Sequence, residues 1–343
     1  MPKVFLGMSG GVDSSVSAVL LKEQGYDVTG VYMKNWSTDL PGMKCPWAED
    51  LADAKRVAVH LDLDFEVWDF EEEYKKRVVD YMLAEFQKGH TPNPDVMCNE
   101  QIKFKLFYER AIAAGADFIA TGHYARVDAR RAALLRARDE NKDQTYFLYR
   151  MSLEATAHAI FPVGDMLKPE VKALAAKHGL DVAHKKESMG VCFVGEVGMK
   201  DFLRAYIDIK PGEIRDIETD QILGHHDGAI FYTIGQRHGL YLGGGLPYYV
   251  VKKDLTNNIV YVSRNLNDAN LWSDKIHLED IKLRADLPAS ELKVRLRHRA
   301  PLIPVQYNDG ELTFDQPIKR PAAGQSAVLY SGEICLGGGI ISE

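Results

Sequence analysis

Residues 7–15 read Gly7-Met8-Ser9-Gly10-Gly11-Val12-Asp13-Ser14-Ser15. An apolar run, Val4-Phe5-Leu6, lies ahead of them. Behind them, the stretch from Ser14 to Gln24 carries Val16, Val19, Leu20 and Leu21 on one helical face. The pattern predicts a strand, a glycine turn and a helix. Such a turn aims backbone N–H groups at one point in front of a helix N-terminus, which makes an anion site. Gly10 and Gly11 let the backbone close on a phosphate, and Ser9, Ser14 and Ser15 add hydroxyl donors. Asp13 stands where a helix N-cap or a magnesium-binding carboxylate would stand. Two common phosphate loops do not fit. The Walker loop requires Gly-Lys followed by Ser or Thr, and no lysine lies here. The dinucleotide fingerprint spaces its glycines, whereas these are adjacent.

The chain has 343 residues, a length that predicts two or three domains, and 46% of them are apolar, enough for sizeable cores. No apolar run approaches the roughly 20 residues of a membrane span, and the chain opens on a predicted strand instead of a leader. The expectation is a cytoplasmic protein that does not engage a membrane. A net charge of −7 argues against a generic polyanion binder, although local patches decide nucleic-acid binding. Cys45, Cys98, Cys192 and Cys335 form no C-x-x-C pair, so zinc and four-cysteine iron–sulfur sites are not expected. Cys45 and Cys335 read as structural.

Residues 27–33 predict a second strand, whose end places Met33 near a nucleotide base or simply at an apolar strand tip. Residues 49–60 predict a helix, 65–70 a strand, and 71–88 another helix. In the stretch from Thr91 to Phe104, Pro92 and Pro94 predict an extended loop, and Asn99 a cap for a helix over 100–114. On that reading Cys98 precedes a helix N-terminus, where the dipole favours thiolate, with Asp95 close by. Residues 117–122 predict a strand ending at Gly122-His123. A glycine at such a tip permits close approach of a nucleotide, while His123 touches a ligand or caps the turn.

Residues 126–150 are locally basic, with Tyr146, Phe147 and Tyr149 interleaved. This pattern suits either a solvated hairpin or a nucleic-acid contact. Cys192 follows Lys185 and Lys186, whose charge lowers a thiol pKa, yet Val191 and Phe193 equally suit a buried thiol. A short helix is expected over 201–207. Beyond it, short apolar strands such as 228–232, 248–251 and 259–262 alternate with turns at a spacing that predicts small β domains. Residues 293–299 read KVRLRHR. At strand period Lys293, Arg295, Arg297 and Arg299 share one face, as a stripe for a phosphate backbone or a charged edge against aggregation.

The loop at 9–15 resembles the SGGxDS pyrophosphate loop of the ATP-pyrophosphatase superfamily. With NPDxxCN at 93–99, ATGHYA at 120–125, KDQ-Y at 142–146, SMGVCF at 188–193, TIGQRxGL at 233–240, GQSAVLY and CLGGGI, the chain is similar over its whole length to the bacterial tRNA-specific 2-thiouridylase family. The resemblance implies an α/β, doubly wound parallel-sheet ATP-pyrophosphatase domain over 1–200. A small adaptor domain over 201–272 and a C-terminal β-barrel over 273–343 follow. It implies ATP-dependent 2-thiolation of the wobble uridine of lysine, glutamate and glutamine tRNAs, with MgATP adenylating the C2 oxygen.

By the same resemblance Cys192 carries a persulfide received from a sulfur-relay protein or cysteine desulfurase. Cys98 is the second catalytic thiol, closing a disulfide with Cys192, and Asp95 is an acid or base. Gly7, Met8, Ser9, Gly10, Gly11, Val12, Asp13, Ser14, Met33 and Gly122 hold ATP. Asn93, Pro94 and Asp95 face the target base. His123, Lys142, Asp143, Gln144, Arg297, His298 and Gln325 contact tRNA, with His298 standing where an aromatic residue is expected. Two other readings explain the loop: an amide ligase of the GMP synthetase or argininosuccinate synthetase type, and a tRNA-binding or sulfur-carrying module that senses ATP. The first leaves both cysteine elements and the basic strand idle, and the second predicts no pyrophosphate release when tRNA is added.

Overall fold

In a computed structural model of the chain, the described residues are 1–39, 45–128, 130–185, 198–243, 245–288 and 291–342. The reading of Cys192 falls in 186–197, outside the described residues. The first sheet is parallel and built from β1 (Lys3–Gly7), β2 (Asp27–Lys34), β3 (Asp64–Asp69), β4 (Phe118–Thr121) and the short 159–160 strand, in the order β3-β2-β1-β4-(159–160). Helix α1 (Val12–Glu23) returns from β1, and α2 (Trp47–His60) from β2. The chain winds outward from β1 to β3 and then crosses back to β4. The switch point therefore lies between the carboxyl ends of β1 and β4, where a sheet of this kind takes its ligand. Val16, Val19 and Leu21 of α1 are buried against Val4, Leu6 and Val28, as the helical face predicts.

The helical stretch after β3 holds α3 (Glu71–Tyr74) and α4 (Asp80–Gln87), joined by a π-helical turn at Lys75–Val79. The next helix corrects an expectation. It starts not at residue 100 but with α5 (Pro94–Cys98), and continues through a π-helical stretch at Asn99–Leu106 into α6 (Phe107–Ala113). Pro94 does not stop the chain, because at the first helical position its missing N–H costs nothing. The cap is Asn93, whose side chain accepts from the N–H groups of Asp95 (3.2 Å) and Val96 (3.4 Å). Asn99 instead donates to the Phe147 carbonyl at 3.1 Å.

The 126–150 region folds into a hairpin of β5 (Arg126–Asp128) and β6 (Ala133–Leu135). Two short helices, Thr145–Leu148 and Leu153–Ala157, follow. A helix over Lys168–Lys177 packs beside α1. The helix Met199–Tyr206 spans the expected boundary at residue 200. A four-stranded sheet over 212–263 comes next, with the expected strands at Tyr249–Asp254 and Ile259–Ser263. Residues 228–232 are not a strand; they hold a 3₁₀ turn at Ala229–Phe231.

From Trp272 to Ile341 an antiparallel sheet wraps a core of Ile276, Leu278, Val294, Leu312, Phe314 and Leu329 as a near-closed β-barrel. Hairpin strand β6 joins it by pairing Leu134 with Cys335, so the first α/β region and the barrel share one sheet. Their joint also holds a polar cluster, buried at Arg150 and Glu100. Arg150 donates from Nε to Glu100 (2.6 Å) and from Nη2 to Asp280 (2.6 Å), while Lys282 Nζ donates to Glu100 (2.6 Å).

Candidate active site

The loop after β1 sits at the switch point. Gly10 has φ of +71°, the left-handed region that glycine occupies without strain, and a Cβ there would lie 2.3 Å from the Asp50 carbonyl oxygen. Gly11 is the N-cap of α1 and offers no side-chain cap, so the leading N–H groups of that helix are left to a ligand. Ser14 Oγ accepts from Ser9 N–H at 3.2 Å and donates to the Gly11 carbonyl at 3.1 Å, holding the turn from inside. Gly122, just past β4, fits because it lacks a side chain: a Cβ would lie 2.6 Å from Ser14 N. Met33, half-buried at the end of β2, packs its methyl group over Gly7. This cradle fits a phosphate chain with a base beside it. Met8 and Val12 serve it from beneath, as buried core side chains.

Asp13 departs from the N-cap role expected of it. It stands in the first turn of α1 rather than at the cap, and its carboxylate is engaged. Lys168 Nζ donates to Oδ1 and Oδ2 at 2.7 and 2.8 Å, and the Tyr124 hydroxyl donates to Oδ1 at 2.9 Å. A second lysine flanks the loop: Lys185 Nζ donates to the Gly10 carbonyl (3.3 Å), to Asp50 (2.7 Å) and to Asp53. Sequence reasoning missed Lys168 and Tyr124 as loop neighbours. Tyr124 lay inside a quoted motif, but nothing local marks Lys168.

Cys98 is buried at the end of α5. It does not precede a helix N-terminus, so the dipole argument for its thiolate fails. The helix instead aligns it with Asp95, one turn earlier. Burial raises the Asp95 carboxyl above the usual carboxylate range, while the Lys103 ammonium pulls it down. The same lysine faces His123. Burial first, and Lys103 second, hold that imidazole well below its ordinary value, in the neutral form. Its Nδ1 lies 2.8 Å from Thr121 Oγ1, and its ring packs against Phe104 and Phe161. The Phe104–His123 ring contact thus connects the Cys98 helix to the β4 tip, and Gly122 connects that tip to the phosphate loop. The backbone of the helix departs from regular geometry at Phe104 (φ −107°, ψ 15°), within the π-helical stretch that carries Lys103. π-Bulges recur at functional sites.

Several expected nucleic-acid contacts turn inward. The Asp143 side chain is fully enclosed, accepting from Arg295 Nη1 (2.7 Å), Thr145 Oγ1 (2.9 Å) and Ala137 N–H (3.2 Å). Gln144 Oε1 accepts from Tyr124 N–H at 2.8 Å. Tyr146 and Tyr149 are buried against the barrel, bonding the Ser326 carbonyl and hydroxyl, so their rings do not serve as stacking platforms. The basic stripe is also corrected. The strand ends at Arg295, which is buried; Arg297 and Arg299 lie beyond it in a turn and are exposed. Lys142 is half-buried. His298 packs on Phe147 with ring centroids 4.5 Å apart. Gln325 Nε2 donates to the Thr91 carbonyl at 2.6 Å, tying the barrel to the loop ahead of α5.

Cys45 and Cys335 are buried free thiols. Among the described residues no cluster of three or more His, Cys, Asp or Glu could hold a metal ion, and no helix is long and apolar enough to cross a membrane.

A phosphate cradle at the switch point of a parallel sheet, joined to a helix bearing a thiol and a carboxyl, defines an α/β nucleotide-binding enzyme of the ATP-pyrophosphatase type. The family described as tRNA methyl transferase HUP domain matches residues 2–196. The companion tRNA methyl transferase PRC-barrel and aminomethyltransferase beta-barrel domains match 200–264 and 273–341. Proteins named tRNA-specific 2-thiouridylase MnmA match along nearly the whole chain. The one from Bacillus licheniformis is 45% identical over 99% of this chain and 95% of its own length. Its namesake in Listeria welshimeri is 47% identical over 99% and 94%. The chain belongs to the tRNA-specific 2-thiouridylase family, and as such is an enzyme of the tRNA-uridine 2-sulfurtransferase class. A looser likeness links it to a solved 4-thiouridine synthetase–RNA complex with bound ATP, at 18% identity and a TM-score of 0.38, over 57% of this chain and 45% of that one.

Proposed function

We propose that this chain thiolates C2 of the wobble uridine in lysine, glutamate and glutamine tRNAs, with ATP bound as MgATP, in the cytoplasm. One observation carries the reading: a loop shaped for phosphates meets, through Gly122, His123 and Phe104, the helical stretch that bears Asp95 and Cys98. Gly7 to Ser14, Met33 and Gly122 hold the nucleotide, which when bound supplies adenylation of the C2 oxygen and so turns a poor leaving group into a good one. Asn93, Pro94 and Asp95 face the uracil. His123, Lys142, Gln144, Arg297, His298 and Gln325 flank the tRNA. Asp143 is left out, since its carboxylate faces inward.

Cys192 accepts a sulfur from a relay protein or cysteine desulfurase as a persulfide. The Cys98 thiolate attacks the Cys192 sulfur, a Cys98–Cys192 disulfide forms, and hydrosulfide departs to displace adenylate at C2. A thiol reductant then restores both cysteines. Asp95, with its raised pKa, is suited to hold or give a proton beside the base.

The test is nucleoside mass spectrometry on unmodified glutamate tRNA incubated with the protein, MgATP and a persulfide donor. Cys98→Ser and Cys192→Ser variants run alongside. Replacement of one oxygen by sulfur in uridine, lost with Cys192→Ser, is the expected result. Thiolation that persists in that variant removes Cys192 as carrier, and no thiolated uridine with an active donor overturns the proposed thiolation of this tRNA.

A further inference from the structure

Lys185 reaches the phosphate loop across 175 positions of sequence. Its Nζ donates to the Gly10 carbonyl at 3.3 Å, to Asp50 at 2.7 Å and to Asp53. Asp50 and Asp53 stand three positions apart on α2, so both carboxylates face one side of that helix. An ammonium has three N–H donors, and here each has its own oxygen. Burial lowers the pKa of the group, but the two carboxylates more than offset it and the net shift is upward, so the lysine stays charged.

The group that this cation holds in the loop is a peptide plane. A trans peptide sends its C=O and its N–H to opposite sides. With the Gly10 carbonyl drawn towards Lys185, the Gly11 N–H is turned the other way. Gly11 is the N-cap of α1, and its N–H has no acceptor among the described residues, so that donor is available to an anion. Both members of this peptide unit are glycines, and no Cβ on either side opposes rotation of the plane. A rotated plane would present a carbonyl oxygen where a phosphate oxygen has to lie. Gly10 is pinned on one side, since a Cβ there would lie 2.3 Å from the Asp50 carbonyl oxygen. The orientation of its own carbonyl is set by the lysine.

We propose that Lys185 is a positioning residue for the nucleotide: anchored by Asp50 and Asp53, it holds the Gly10 carbonyl outward and thereby aims the Gly11 N–H at a phosphate oxygen. This rests on the reading that the loop binds ATP. Direct grip of a phosphate by Lys185 is disfavoured by geometry, because its three donors are already spent. Simple masking of the Asp50 and Asp53 charges is the competing role, and the variants are chosen to separate it.

The experiment is calorimetric titration of a non-hydrolysable ATP analogue into the full-length protein. Wild type is compared with Lys185→Met, Lys185→Arg and a triple variant that adds Asp50→Asn and Asp53→Asn to Lys185→Met. Thermal melts confirm that each protein is folded. Lys185→Met should bind about tenfold more weakly, the loss of one charge-assisted contact. Lys185→Arg should recover most of the affinity, because it still donates to the carbonyl. The triple variant should stay weak, since removing the carboxylates does not restore the hold on Gly10. Recovery of wild-type affinity in the triple variant would leave Lys185 a charge mask and overturn the proposal, as would unchanged affinity in Lys185→Met.

A second readout reports on the peptide itself. In the amide NMR spectrum the Gly11 proton should move downfield when the analogue saturates wild type, and should not do so in Lys185→Met. An equal shift in both proteins overturns the positioning role. Wild-type protein that fails to bind the analogue at all overturns the nucleotide reading of the loop, an outcome visible before any variant is compared.

Discussion

Lys168 Nζ sits 2.7 and 2.8 Å from the two carboxylate oxygens of Asp13, across 155 positions of sequence. The lysine side chain is only 9% exposed and Asp13 is 30% exposed, so the pair stands at the inner edge of the phosphate cradle. Without the ammonium, the carboxylate would face incoming phosphates with its charge unopposed. Lys168→Met should weaken binding of a non-hydrolysable ATP analogue about tenfold, which is ~1.4 kcal/mol, and Lys168→Arg should restore most of it. Calorimetric titration reads both. Equal affinity in wild type and Lys168→Met would show that the pair only fastens α1 to the rest of the domain.

Gly122 touches the loop through backbone, and backbone cannot rotate aside. A Cβ at 122 would lie 2.6 Å from Ser14 N and 2.8 Å from the Asp13 carbonyl carbon. Gly122→Ala should leave a folded protein, destabilised by about 1–3 kcal/mol, because the overlap is local. Thiolation should drop at least ~100-fold, since a displaced loop misplaces the nucleotide. Circular dichroism and the thiolation assay separate the two effects. A variant with activity within threefold of wild type would mean that the β4 tip does not shape the cradle.

The phosphate loop was legible because strand, turn and helix are contiguous, and periodicity reads contiguous structure. The start of the Cys98 helix was not, since two prolines read as breakers although Pro94 occupies the one helical position that tolerates it. The run KVRLRHR shows charge at every second position, but alternation does not say which face meets solvent. Pairing of Val294 and Arg295 with Leu329 and Val328 turned Arg295 inward, onto an aspartate 152 residues away. Tyr146 and Tyr149 failed as nucleic-acid platforms for the same reason: the barrel that covers them lies 177–180 positions downstream.

The Asp143–Arg295 pair joins the α/β region to the barrel at 2.7 Å, with side-chain exposures of 0% and 6%. Removing one partner of a buried pair strands a charge without solvent, at a cost of about 3–5 kcal/mol. Arg295→Met should show that loss in chemical denaturation. Asp143→Asn together with Arg295→Met should recover part of it, because no carboxylate is left stranded, although Arg136, 3.8 Å from Asp143, loses that partner. Additive losses in the double variant would mean that the two groups do not act as a pair.

His298 gives a signature in pH. Burial, followed by the nearby Arg299, lowers its pKa to about 4, and Asp143 opposes this only in part. An unfolded chain titrates its histidines near 6.5. Between those values the unfolded state binds more protons than the folded one, so stability rises with pH across this window and is lost as pH falls from about 6.5 to 4. The ring is half-buried, so solvent screening reduces the effect to on the order of 1 kcal/mol. His298→Phe keeps the aromatic contact with Phe147 and removes the titration. Wild type should therefore lose about 1 kcal/mol more than His298→Phe between pH 7 and about 4.5 in urea denaturation, every other titrating group being common to both proteins. Equal losses would place a protonated imidazole in the folded state, with its Nδ1, buried and unpartnered here, facing a carboxylate or water after rearrangement.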